Sequence, residues 1–136
     1  MMCASEQCLD TLNVLIAEDY PDSRDFLQML LEDTVKSVDV AVNGRQALEQ
    51  LTVGDYDLVL MDCCMPEMSG YEATRILRQR EGQQKHTAII GLTANTARGD
   101  REKCLAAGMD EYLTKPVLIN DLLEAMTEVA KASELC

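Results

Sequence analysis

Three carboxylates, a hydroxyl and an amine stand out in this chain because each lies at the carboxyl end of an apolar run. Glu18 and Asp19 follow residues 12–17, Asp62 follows 57–61, Thr93 follows 88–92, and Lys115 follows the shorter run at 111–114. Taken singly, each is an ordinary surface residue. Brought within a few ångströms, the three acids would repel one another and raise each other's pKa unless a cation neutralised them. Oxygen-only ligands, with no histidine or thiol cage, point to magnesium, a hard ion that keeps several waters and is commonly shared with a phosphate. An ionised Asp62 needs no general base before its oxygen attacks phosphorus. Lys115 would hold phosphoryl oxygens as a point charge, and Thr93 would donate one hydrogen bond to them.

Whether these groups meet depends on the elements between them. The apolar runs at 12–17, 37–42, 57–61, 88–92 and 111–114 read as strands, the nearly unbroken ones as strands buried on both faces of a parallel sheet. Helical patterns separate them. Phe26, Leu27, Leu30 and Leu31 have the spacing of a buried helix face, and residues 97–107 and 120–132 supply two further helices. Asn43 with Gln46, and Ser69 with Glu72, fit helix N-caps, while Gly108 fits a left-handed C-cap. Five strands and five helices in strict alternation predict an α/β fold, a doubly wound five-stranded parallel sheet with helices on both faces. The ligand crevice of such a sheet lies beyond the carboxyl ends of its strands, where the five residues would converge.

Length and composition bound the functions such a crevice serves. One hundred and thirty-six residues suit a single domain, and 47% hydrophobic with 26% charged residues suit a soluble globular chain. The net charge of −12 repels a nucleic-acid backbone, so no direct nucleic-acid contact is expected. The first 68 residues hold 14 acids against 3 bases, which places the excess where the acidic pair and Asp62 lie. Six cysteines without a CxxC pair, and His86 as the lone histidine, give no zinc spacing. The N-terminus has no basic leader and no apolar run long enough for a membrane helix, so a cytoplasmic chain with reduced thiols and no membrane contact is expected. Residues 1–10 read as a loose N-terminal extension, 11–132 as the domain and 133–136 as a tail.

With these residues in view, the sequence resembles the receiver domain of two-component response regulators, particularly the receivers attached to hybrid histidine kinases. The motifs that carry the resemblance are Val14-Leu-Ile-Ala-Glu-Asp19 with Pro21 and Ser23-Arg24; Leu60-Met-Asp62-Cys-Cys-Met-Pro66-Glu-Met-Ser-Gly70; Ile90-Gly-Leu-Thr93-Ala94; and Gly108-Met-Asp-Glu-Tyr-Leu-Thr-Lys115-Pro116. The resemblance implies a flavodoxin-like strand order 2-1-3-4-5. It implies that Asp62 accepts a phosphoryl group from a phosphohistidine of a histidine kinase or a histidine phosphotransfer protein. Glu18, Asp19, Asp62 and the backbone carbonyl of Cys64 would hold magnesium. Thr93 and Lys115 would contact the phosphoryl oxygens, with a cis Lys115–Pro116 bond aiming the lysine. Tyr112 would be an aromatic switch that turns inward as Thr93 moves toward the phosphate, reshaping the surface around the fourth helix, fifth strand and fifth helix. The domain would be a monomer or weak dimer that catalyses only its own phosphorylation and dephosphorylation. Tyr20 and Ser69 depart from the commonest residues of the pattern, and Cys64 and Asn95 match the positions that tune phosphoryl lifetime.

Two other readings use the same residues. A magnesium-dependent phosphohydrolase of the haloacid dehalogenase kind would need a second aspartate two residues after the nucleophile, where Cys64 stands. A receiver-like interaction module that is never phosphorylated would not need the acceptor set, yet all five residues are present. No GxxxxGK[ST] or GxGxxG loop supports nucleotide chemistry. Cys63 and Cys64, which flank the acceptor, read as small apolar side chains rather than redox sensors. Arg75, Arg78, Arg80 and Lys85, with Arg98, Arg101 and Lys103, read as solvated helix faces.

Overall fold

In the computed structural model, which describes residues 9–94 and 99–133, strand and helix alternate from Asn13 to Ala132. They are β1 (Asn13–Ala17), α1 (Pro21–Leu31), β2 (Ser37–Ala41), α2 (Gly44–Val53), β3 (Leu58–Asp62), α3 (Gly70–Glu81), β4 (Ala88–Thr93), α4 (Asp100–Ala107), β5 (Glu111–Thr114) and α5 (Ile119–Ala132). The five strands form one sheet in the order β2-β1-β3-β4-β5, every pair parallel. This is the expected doubly wound, flavodoxin-like arrangement.

Alternate residues of each central strand serve opposite faces, because successive side chains point to opposite sides of a sheet. Val14, Ile16, Leu58, Leu60, Ile90 and Leu92 join Leu27 and Leu31 of α1 and Leu122, Met126 and Val129 of α5 in one core. Leu15, Ala17, Val59, Met61 and Ile89 join Ala47 and Leu48 of α2, Ala73 and Leu77 of α3 and Cys104 of α4 in the other. Two buried faces explain why these strands read as continuous apolar runs. Each fully buried Leu or Ile contributes about 1.5–3 kcal/mol, so the sheet and its carboxyl edge form a firm frame.

The local signals at the helix ends behave as expected. The Asn43 side chain accepts from the Gln46 amide at 2.8 Å, and the Gln46 side chain returns to accept from the Val42 amide at 2.7 Å. Ser69 caps α3 by accepting from the Glu72 amide at 3.2 Å. Gly108 ends α4 with φ of 107°, a conformation that favours glycine. Asp62 ends β3, as expected, whereas β4 runs on through Thr93, which therefore sits on the last strand residue rather than after it. The helix expected over 97–107 starts at Asp100 after Gly99, and its first two expected residues, like Asn95, most of the N-terminal extension and the end of the tail, lie outside the described residues.

Two side chains depart from the expected pattern. Phe26, expected on the buried face of α1, is 46% exposed, because Leu27 and Leu31 already fill the contact with the sheet. Arg78, expected on a solvated face, is instead drawn into the protein. Its guanidinium donates to the carbonyls of Gly108 and Thr87, to Glu81 and to Asp110, all at 2.8–3.0 Å. It thereby ties α3 to the start of β4 and to the turn before β5. Arg78→Ala leaves the buried Glu81 side chain without its cation and Asp110 with His86 as its remaining basic partner, and chemical denaturation should show a loss of about 3 kcal/mol; a loss below about 1 kcal/mol would mean the network is solvated.

Candidate functional site

Strand register decides which residues meet. Ala17 pairs with Met61 and Asp62 with Leu92, while Thr93 pairs with Thr114. The ladder continues past the strand ends: the Glu18 amide donates to Ala41, the Cys63 amide to Leu92 and the Lys115 amide to Thr93. Glu18, Asp62, Thr93 and Lys115 are thus fixed by backbone bonds to one edge of the sheet, with Asp19 next to Glu18. Carboxylate oxygens of Glu18, Asp19 and Asp62 lie within 4.8 Å of one another. The Lys115 ammonium reaches between them, 2.6 Å from Glu18 Oε1 and 3.2 Å from Asp62 Oδ2. The Lys115–Pro116 bond is cis.

Glu18 is fully buried and Asp62 nearly so, whereas Asp19 is exposed. Burial, then the hydrogen bond and charge of Glu18, push the Asp62 carboxyl up to about 6, against the lowering influence of the Cys64 amide and Lys115. The Cys64 amide donates to Asp62 Oδ1 at 3.1 Å, which places the Cys64 backbone at the site. For Lys115, burial acts downward, but the hydrogen bond to Glu18 and the charges of Asp62 and Glu18 outweigh it and hold the ammonium above its ordinary pKa. One lysine does not satisfy three acids. Glu18 Oε2 is buried without a hydrogen-bond partner, on a residue clustered with the hard oxygen donors of Asp19 and Asp62. That combination fits a small divalent cation.

Residues 14–127 match the family model described as the response regulator receiver domain. The chain belongs to this family. Among curated relatives, this receiver is 40% identical over 123 residues to hybrid signal transduction histidine kinase B of Dictyostelium discoideum, covering 83% of the chain but 6% of that protein. It spans between 6% and 14% of the leading curated relatives' length. Among solved structures it is 35% identical to the receiver domain of the sensor histidine kinase PA1611 of Pseudomonas aeruginosa PAO1, with a TM-score of 0.79 over 89% of this chain and 98% of that one; that receiver has a magnesium ion coordinated in its active-site cleft. It is 33% identical, with a TM-score of 0.79 over 88% of this chain and 89% of that one, to the receiver domain of a Saccharomyces cerevisiae response regulator co-crystallised with a histidine phosphotransfer signaling protein. No helix among the described residues is long and apolar enough to cross a membrane.

The remaining residues of interest fall into place around this edge. Tyr112 is half-buried on β5, opposite Gly91 of β4, and packs on the core shared with α2, α3 and α4. Cys63 is buried with its Sγ 3.7 Å from that of Cys104, and burial pushes its thiol up to about 12, so it behaves as an apolar side chain. Three contributors were given no role at the site by the sequence, although Arg24 and Gly70 stand within its motifs. Arg24 donates to the Glu18 carbonyl at 3.0 Å and so braces the acidic turn from one turn into α1. Gly70 packs against the Asp62 backbone so closely that a Cβ would lie 2.2 Å from the Asp62 carbonyl oxygen. Asp100, the first residue of α4, accepts the Thr93 hydroxyl at 2.9 Å. The Gly70 signal was available as the glycine that closes the Asp62 motif; Asp100 carried none.

The raised Asp62 pKa has a sign that can be measured. The folded protein holds this proton more tightly than an unfolded chain, whose aspartate titrates near 3.8. The contribution of Asp62 is therefore most favourable below about pH 4 and is lost as pH rises through about 6. In chelator-treated protein, Asp62→Asn should be more stable than the parent at pH 7 by about 1–3 kcal/mol, the gain shrinking toward pH 4; a gain that does not vary with pH would contradict the repulsion.

Proposed function

We propose that this receiver accepts a phosphoryl group on Asp62 from a phosphohistidine of a histidine kinase or histidine phosphotransfer protein, and that the adduct switches its surface for a downstream partner. The observation that carries the reading is the grouping of one nucleophilic carboxylate with two further acids and a lysine at the carboxyl edge of a parallel sheet. Its likeness to a receiver co-crystallised with a phosphotransfer protein supports the donor class.

Glu18, Asp19, Asp62 and the Cys64 carbonyl would hold magnesium, in keeping with the magnesium-bound receiver of Pseudomonas aeruginosa. When bound, the ion supplies positive charge that offsets the clustered acids and the phosphoryl oxygens. An Asp62 carboxylate oxygen attacks phosphorus, the phosphorus–nitrogen bond to the imidazole breaks, and the departing imidazole keeps the electron pair and takes up a proton. Lys115, already beside Asp62 Oδ2, stabilises the charge on the transferring oxygens. Thr93 then donates to a phosphoryl oxygen, and Tyr112 follows it inward. Phosphorylation adds about −1.5 to −2 charges and three acceptor oxygens, sufficient to bias a two-state surface. The domain, over residues 11–132, acts in the cytoplasm as a monomer or weak dimer, and the adduct is lost by hydrolysis at the same edge.

Incubating the full chain with magnesium and a small phosphodonor such as acetyl phosphate should add one phosphoryl group, stable to acid and labile to base, as read by intact mass. The adduct should be absent in Asp62→Asn and form about a hundredfold more slowly in Lys115→Ala. A wild-type chain that takes no phosphoryl group, or takes it elsewhere, would favour an interaction module that works without phosphorylation.

A further inference from the structure

Thr93 is buried at the last position of β4, and its hydroxyl donates to Asp100 Oδ2 at 2.9 Å. A threonine hydroxyl has a single proton to donate. The phosphoryl group on Asp62 proposed above requires that same proton, so the carboxylate of Asp100 and the phosphoryl oxygens are rival acceptors. Hydrogen bonds to ionised acceptors are the stronger kind, and the buried setting of Thr93 adds to this one. Asp100 also sits in the first turn of α4, where a negative charge is favoured by the helix dipole.

We propose that Asp100 is a positioning residue that brakes the switch by holding the Thr93 hydroxyl on α4 until a phosphoryl group displaces it. The inference rests on the phosphoacceptor reading and adds to it a residue outside the acidic cluster. The contact joins the β4 edge of the site to the first turn of α4. Redirecting the Thr93 hydrogen bond from Asp100 to a phosphoryl oxygen therefore releases the start of α4, which gives the chemistry at Asp62 a direct route to the surface beside it. Asp100 sets the balance between the two positions because it contributes to one of them alone.

The test uses the full chain, magnesium and beryllium fluoride as a stable phosphoryl mimic, with affinity measured by calorimetry for the wild type, Asp100→Ala, Asp100→Asn, Thr93→Ala and the Thr93→Ala/Asp100→Ala pair. Removing the rival acceptor should tighten binding about tenfold in Asp100→Ala. Asp100→Asn, which keeps the side-chain shape and a neutral acceptor, should show a smaller gain and serves as the deciding variant should the alanine fail to fold. In the Thr93→Ala background the Asp100 substitution should change nothing, an outcome that mere loosening of α4 would not produce. Unchanged or weaker binding in both Asp100 variants, or an equal gain without Thr93, would overturn the brake while leaving the phosphoacceptor reading intact. Failure of the wild type to bind the mimic, together with failure to form an aspartyl adduct, would overturn both.

Discussion

Parallel pairing of β1 with β3 sets Glu18 beside Asp62, and burial removes most of the water that would screen their repulsion. Two backbone ladders and a pair of close-packed cores hold these acids where their charges oppose one another. Lys115 relieves part of the conflict by bridging Glu18 and Asp62, but the buried Oε2 of Glu18 still has no partner. The rest of the molecule answers to that constraint. The apolar strands must be rigid enough to sustain it, Arg24 must brace the turn that carries Glu18 and Asp19, and Gly70 must let the following helix approach the Asp62 backbone.

A site assembled against repulsion is responsive by construction. A dication or a change in proton occupancy alters its free energy far more than that of an ordinary surface cluster. The side chains around it are linked to neighbouring elements as well as to the core. Thr93 connects the edge of β4 to α4 through Asp100, Lys115 leads through Pro116 toward α5, and Tyr112 packs from the neighbouring strand. The Arg78 network works the other way. It fastens the opposite end of β4 to α3 and to the turn before β5.

The strands and the placement of the five candidate residues at their ends were legible in the sequence because both depend on short-range pattern. An apolar run buried on two faces, stopped by a polar group, marks a strand and its end together, as in residues 58–62 and 88–93. The caps at Asn43 and Ser69 were legible for the same reason, being settled within four residues. What escaped is long-range. Arg78 looks like any helical arginine until Asp110 and the Gly108 carbonyl are brought to it from 30 residues away. Phe26 has the right spacing to be buried, yet Leu27 and Leu31, with Leu30 partly buried, are the α1 side chains that pack on this core. Asp100 follows a glycine in an exposed-looking charged stretch, and nothing local shows that Thr93 lies within reach.

The central claim is that the fold holds three carboxylates together closely enough to require a dication. Calorimetric titration of the chelator-treated chain with magnesium at neutral pH, beside Asp19→Asn and Asp62→Asn, tests it most directly. The account requires saturable binding of one ion per chain, weakened at least about tenfold by either substitution, since each removes a charged ligand. Absence of saturable binding in the wild type, or binding that both substitutions leave unchanged, would contradict it.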